Sequence, residues 1–225
     1  MIHINADIGE IPEHIADGTQ EALLKHLTAV NIACGGHAGT PAIMRVSIEQ
    51  AQRYNLQIGA HPGYPDPANF GRLAMNMPLD AVARTVFEQI RILAQFTTEI
   101  RHVKPHGALY NQAAADPALA RAIAQGAARF SKQITLVGLA NSRMLEAFAE
   151  EGFAIAAEAF ADRRYNPDGT LTARSEANAL IVEPAEAAEQ ALRFARSGTI
   201  QTICVHGDTP GAAAIARAVA RALIT

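Results

Sequence analysis

The stretch Ala29-Val30-Asn31-Ile32-Ala33-Cys34-Gly35-Gly36-His37-Ala38-Gly39-Thr40-Pro41 decides the fold class. Its short apolar, β-branched opening reads as a buried strand, and the glycines that follow supply a tight turn. Thr40 then offers a capping oxygen just before a proline whose missing N–H costs nothing at the first helical position. Strand, turn and helix in that order make one βα unit.

The same pattern recurs outward in both directions. Strands are expected near residues 2 to 7, 29 to 34, 56 to 61, 100 to 105, 134 to 139, 153 to 160 and 202 to 207, separated by Ala-rich helical runs, an alternation that argues for parallel βα units. Asp116-Pro117 and Thr209-Pro210 repeat the helix-start signal of Thr40-Pro41, and Leu119, Ile123 and Ala127 fall on one helical face. Residues 9 to 20, 62 to 77 and 161 to 178 read as irregular loops of the kind that cover a substrate. Seven buried parallel strands suit an open doubly wound sheet or a closed barrel, and periodicity does not separate the two. A length of 225 residues suits one domain, 1–225.

Composition excludes several classes of function. With 49% hydrophobic and 18% charged residues and a net charge of −3, the chain has no basic surplus for a phosphate backbone, so nucleic acid is not expected as a partner. The start, Met1-Ile2-His3-Ile4-Asn5-Ala6-Asp7, has neither the basic region nor the apolar run of a signal peptide, and no membrane-spanning run follows; a cytoplasmic protein is expected. Two cysteines, Cys34 and Cys204, are too few for a disulfide framework. Both read as small buried apolar residues; a nucleophilic Cys34 would need a base or positive field, and only His37 is near it in sequence.

In parallel α/β folds reactive groups sit where strands end, and here those ends are polar. They carry Asn5, Asp7 and Glu10; Asn31, Cys34 and His37; His61; His102, Lys104 and His106; Glu158, Asp162 and Arg163; and Cys204, His206 and Asp208. Alternation puts Asn5 with Asp7, His102 with Lys104, and Cys204 with His206 on common faces. So many ionisable groups in one layer are costly unless they pair, coordinate or react.

Three chemistries fit. Asp7, His37 and His61 supply a carboxylate and two imidazoles for a divalent metal that activates water. Without metal, Asp7 or a histidine positions water while Lys104 stabilises a developing oxyanion. The glycine turns at 35–41 and 206–211 could hold a carboxylate or phosphate at a helix N-terminus, as could Arg163 oriented by Asp162. No GxxxxGK[ST] is present, so a Walker-type nucleotide site is not expected.

These blocks resemble the LamB/YcsF family: NADIGE at 5 to 10, NIACGGHAG at 31 to 39, GAHPGYPD at 59 to 66, NFGR at 69 to 72, VKPHGALYN at 103 to 111, EAFADRRY at 158 to 165 and CVHGDTPG at 204 to 211. The resemblance implies a seven-stranded distorted barrel of the glycoside hydrolase/deacetylase type. It also implies the role of the A subunit of a 5-oxoprolinase: ATP-dependent opening of 5-oxo-L-proline to L-glutamate, with subunits B and C as partners and ATP handled with them. On that picture Asp7, His61, Lys104 and His206 are catalytic, while Asn5, Glu10, Asn31, His37, His106, Asp162, Arg163 and Asp208 bind substrate. Two alternatives stay open: a metal-dependent hydrolase or deacetylase of a small amide or N-acyl sugar, and a non-catalytic regulatory subunit.

Overall fold

The computed structural model describes residues 2–174 and 176–224. Met1, Ser175 and Thr225 lie outside the described residues, and with them both ends of the expected 1–225 domain and one position of the 161–178 loop. Among the described residues seven parallel strands close into a barrel in sequence order: β1 (His3–Ile8), β2 (Ala29–Ala33), β3 (Gln57–His61), β4 (Ile100–Val103), β5 (Thr135–Leu139), β6 (Ala154–Phe160) and β7 (Thr202–Cys204). Strand β7 pairs with both β6 and β1, which removes any free sheet edge and excludes the open doubly wound sheet. None of the described helices is long and apolar enough to cross a membrane.

The helices are α1 (Pro12–Ala16), α2 (Thr19–Leu24), α3 (Pro41–Arg53), α4 (Leu79–Leu93), α5 (Gly107–Ala115), α6 (Pro117–Phe130), α7 (Arg143–Glu150), α8 (Pro184–Arg196) and α9 (Ala212–Ile224). The expected caps form at α3, where Thr40 Oγ1 accepts from Ile43 N, and at α6, where Asp116 accepts from Ala118 N and Leu119 N. The expected apolar face of α6 is buried, with Leu119, Ile123 and Ala127 in the core.

Three expectations need correction. Residues 9–20 are not simply irregular, since α1 and the start of α2 lie there. Helix α9 begins at Ala212 instead of beside Thr209, whose hydroxyl points to Asp162 and donates to it. Strands β4 and β7 stop short of residues 105 and 207. Lys104 N and His106 N still reach Ala60 O and Pro62 O at 3.0 and 2.9 Å, while Pro105 between them has no N–H to offer. After Val205 N bonds to Asn5 O, the His206 N–H turns away to Asp162 Oδ2.

The barrel interior is polar where such barrels usually stack branched aliphatic side chains. Asn5, Asp7, Asn31, His61, His102, Lys104, Glu158 and Thr202 are all buried. Gly59 makes room for one of them: a Cβ there would lie 2.1 Å from His102 Nε2. The His102 ring thus crosses β3 to meet Asn31 Oδ1 at 2.8 Å, at the point where the β3–β4 register shifts.

Candidate active site

Desolvating so many polar groups is tolerable only because they satisfy one another. Asn31 Nδ2 donates to Asn5 Oδ1 and Asp7 Oδ1, and Asn5 Nδ2 donates to Thr202 Oγ1 and Glu158 Oε1. Lys104 Nζ lies 3.0 Å from Asp7 Oδ1, 3.1 Å from Glu158 Oε1 and 3.2 Å from Cys204 Sγ. Tyr110, which the sequence did not single out, donates its hydroxyl to Glu158 Oε2.

This pairing fixes protonation states. Burial raises the Asp7 carboxyl, but the charges of His61 and Lys104 outweigh it and hold it well below the ordinary carboxylate range. Burial would discharge Lys104, yet Asp7, Cys204 and Glu158 hold it charged well above the usual lysine value. Burial, with Lys104 nearby, pushes His102 down to about 3, so it is neutral. Lys104 therefore already faces two carboxyl groups, as a buried counter-charge beside Asp7.

Above this layer sits a second group. Gly9, at φ +71° just after β1, turns the chain so that Glu10 folds back across the barrel mouth. Glu10 Oε1 is 2.9 Å from His37 Nε2, 3.1 Å from His106 Nδ1 and 3.7 Å from His61 Nε2. His61 Nε2 is 3.0 Å from His106 Nδ1 and 3.3 Å from Asp7 Oδ2, while the rings of His37 and His106 stack at 3.5 Å. Burial raises Glu10, but the neighbouring rings of His106 and His37 outweigh it and keep it ionised. Burial lowers His37 to about 4. It also works against protonation of His61, but Asp7 and Glu10 prevail and raise that ring above its ordinary value. The expected trio of Asp7, His37 and His61 is thus divided: one metal-compatible group is Glu10, His37, His61 and His106, and another is Asp7, Cys204 and His206.

His206 stands on the far side of Asp7. Its Nδ1 is 2.9 Å from Asp162 Oδ1, and Asp162 also accepts from His206 N and Thr209 Oγ1, an arrangement that fixes the ring's orientation and tautomer. Asp162 is committed to these groups and does not orient Arg163. Arg163 is turned into its own loop, with Nη2 on Thr172 O, so the expected guanidinium clamp is not formed. Asp208 instead meets Arg72 and Arg174, two residues the sequence reading missed because exposed loop arginines carry no local signal.

A cavity of about 500 Å³ opens beside the group, between the start of α2 and the turn after β7, and Asp7, Glu10 and Asp208 line it. The turn at 35–41 closes on itself through Gly35 N to Ala38 O, and at 206–211 the His206 N–H is taken by Asp162, which weakens both as anion cradles. Cys34 is buried, donates to Ile32 O and accepts from His61 N, and burial pushes its thiol up to about 12, which makes it a poor nucleophile.

A model of the LamB/YcsF family matches residues 2–225. A Methylococcus capsulatus protein named as the A subunit of 5-oxoprolinase is 47% identical, with 96% of this chain and 89% of that protein covered. One of the same name from Chloroflexus aggregans is 43% identical, with 99% of this chain and 94% of that protein covered. Among solved structures, a lactam utilization protein from Thermus thermophilus superposes with a TM-score of 0.90 at 34% identity, over 99% of this chain and 96% of that one.

Proposed function

The chain belongs to the LamB/YcsF family, and from that premise we propose that it is the A subunit of a 5-oxoprolinase. It opens the lactam of 5-oxo-L-proline to L-glutamate in the cytoplasm, with ATP hydrolysis and together with partner subunits B and C. The relatives' shared name supports the reaction. The observation that carries its assignment to this pocket is the ionised Asp7 between Lys104 and His61 at the wall of a cavity.

A five-membered lactam is a resonance-stabilised amide that water attacks slowly. Phosphoryl transfer from ATP to the lactam oxygen makes the ring carbon a better electrophile and supplies a leaving group. With no Walker motif in this chain, that step falls to the partners or to a shared site. Water then adds to the carbon, the C–N bond breaks with the nitrogen taking a proton, and a second water releases inorganic phosphate from the resulting acyl phosphate to leave the carboxylate of L-glutamate. Asp7, aimed with His61 beside it, is placed to accept a proton from the first water, and His206, held by Asp162, is placed to return one. Lys104 keeps Asp7 ionised, Asn31 donates to it and Asn5 holds Asn31, so all three act on the substrate through Asp7.

Turnover of 5-oxoproline and ATP, measured for the chain alone and with subunits B and C, tests this. Activity only in the combined preparation is expected; ATP-independent hydrolysis by the chain alone would replace this reading with the metal-dependent hydrolase, which the Glu10 and histidine cluster favours.

A further inference from the structure

We infer that Glu10, His61 and His106 form a divalent-cation site, with His37 orienting the Glu10 carboxylate instead of ligating. This set differs from the Asp7, His37 and His61 trio that the sequence suggested. It deepens the reading of the same pocket, on which it rests only for its catalytic use.

The ring tautomers decide which atoms face one another. His61 Nδ1 is 2.8 Å from the Lys104 carbonyl oxygen, and His106 Nε2 is 2.9 Å from the Phe70 carbonyl oxygen. A carbonyl only accepts, so each of those nitrogens carries the ring proton. In the neutral rings that a bound cation requires, His61 Nε2 and His106 Nδ1 are both lone pairs, and they face each other at 3.0 Å with Glu10 Oε1 as a third acceptor. Three acceptors at such distances repel unless something positive lies among them. A single added proton serves at most two of the three contacts; a cation serves all three.

Size agrees. The three donor atoms form a triangle with sides of 3.0, 3.1 and 3.7 Å. Metal–ligand bonds of about 2.0–2.2 Å place neighbouring ligand atoms roughly 2.8–3.6 Å apart in octahedral or tetrahedral geometry, close to all three sides. Both rings also show the usual second contact of a ligating histidine, in which the remote N–H donates to a carbonyl. His37 does not. Among the described residues its buried Nδ1 has no hydrogen-bond partner, so the proton belongs on Nε2, from which it is donated to Glu10 Oε1 at 2.9 Å. A ring that spends that nitrogen as a donor to Glu10 is unavailable as a ligand.

Two imidazoles and one carboxylate favour the borderline cation Zn²⁺, with the harder Mn²⁺ held less tightly but still ahead of Mg²⁺. Glu10 lines the cavity, so remaining coordination positions have a route to water or to a substrate oxygen.

Titration calorimetry of the chelator-treated chain with Zn²⁺, Mn²⁺ or Mg²⁺ alone tests the site without any turnover. One equivalent of Zn²⁺ or Mn²⁺ is expected, with Mg²⁺ weaker. Glu10→Gln, His61→Gln and His106→Gln should each weaken binding by at least about 100-fold, His37→Gln by about 10-fold or somewhat more, and Asp7→Asn by less than about 10-fold. Where a variant fails to fold, pulsed EPR of Mn²⁺ on the wild-type chain counts coordinated imidazoles, and two are expected. No binding at about 1 mM of any cation, three coordinated imidazoles, or loss of binding in Asp7→Asn but not in His106→Gln would overturn the assignment. Cation binding without oxoproline turnover in the full assembly would leave the site standing and sink the functional reading instead.

Discussion

Asp7 is useful because of what surrounds it: Lys104 at 3.0 Å holds it ionised, and His61 at 3.3 Å shares its outward oxygen. Removing the lysine charge with Lys104→Met would leave Asp7 and Glu158 buried without their counter-charge. A loss of about 3–5 kcal/mol in chemical denaturation is expected, and a change under about 1 kcal/mol would show that the pair is not buried as described. The neutral histidines give a pH signature. His37 and His102, depressed to about 4 and about 3, stay uncharged when folded, whereas in the unfolded chain they protonate near their ordinary value of 6.5. Between about pH 6.5 and 4 the unfolded state therefore binds more protons, and each ring removes about 1.4 kcal/mol of stability per pH unit as pH falls. His61, raised instead, contributes stability that is fully present below pH 6.5 and is lost as pH rises through its folded value. Denaturation midpoints that decline from pH 6.5 to 5, with a shallower decline in His102→Gln, fit this; a flat profile would contradict it.

At the scale of elements, the βα order was legible because each strand is a short apolar run followed by glycine, a capping residue or proline. What those signals lack is direction at the strand ends. Glu10 displaces Asp7 from the histidine group because of one left-handed glycine, Gly9, and Arg163 turns into its loop because Thr172 O lies within reach. Neither outcome has a local pattern in the sequence. Two loops of different origin, 62–77 and 161–178, are tied through Arg72 and Arg174 to Asp208 after β7. Asp208→Asn should accelerate amide hydrogen exchange in both loops while leaving β1 to β4 protected, at a cost under about 1 kcal/mol because these pairs are partly exposed. Unchanged loop exchange would mean the bridge does not hold them.

For the whole molecule, barrel closure gathers the ends of β1, β2, β3, β4, β6 and β7 around one mouth, so residues from Asn5 to Asp208 can meet. Periodicity left open sheet and barrel equal, and the resemblance decided between them, since both bury strands on two faces and only the β1–β7 pairing tells them apart. The most direct test is steady-state hydrolysis of 5-oxo-L-proline, coupled to ADP release, by subunits B and C combined with either the wild-type chain or Asp7→Asn. The expected result is a kcat lowered by about 100-fold or more in the variant, with assembly and melting temperature retained. Equal turnover by the two preparations would contradict the claim that this pocket is where the lactam is opened.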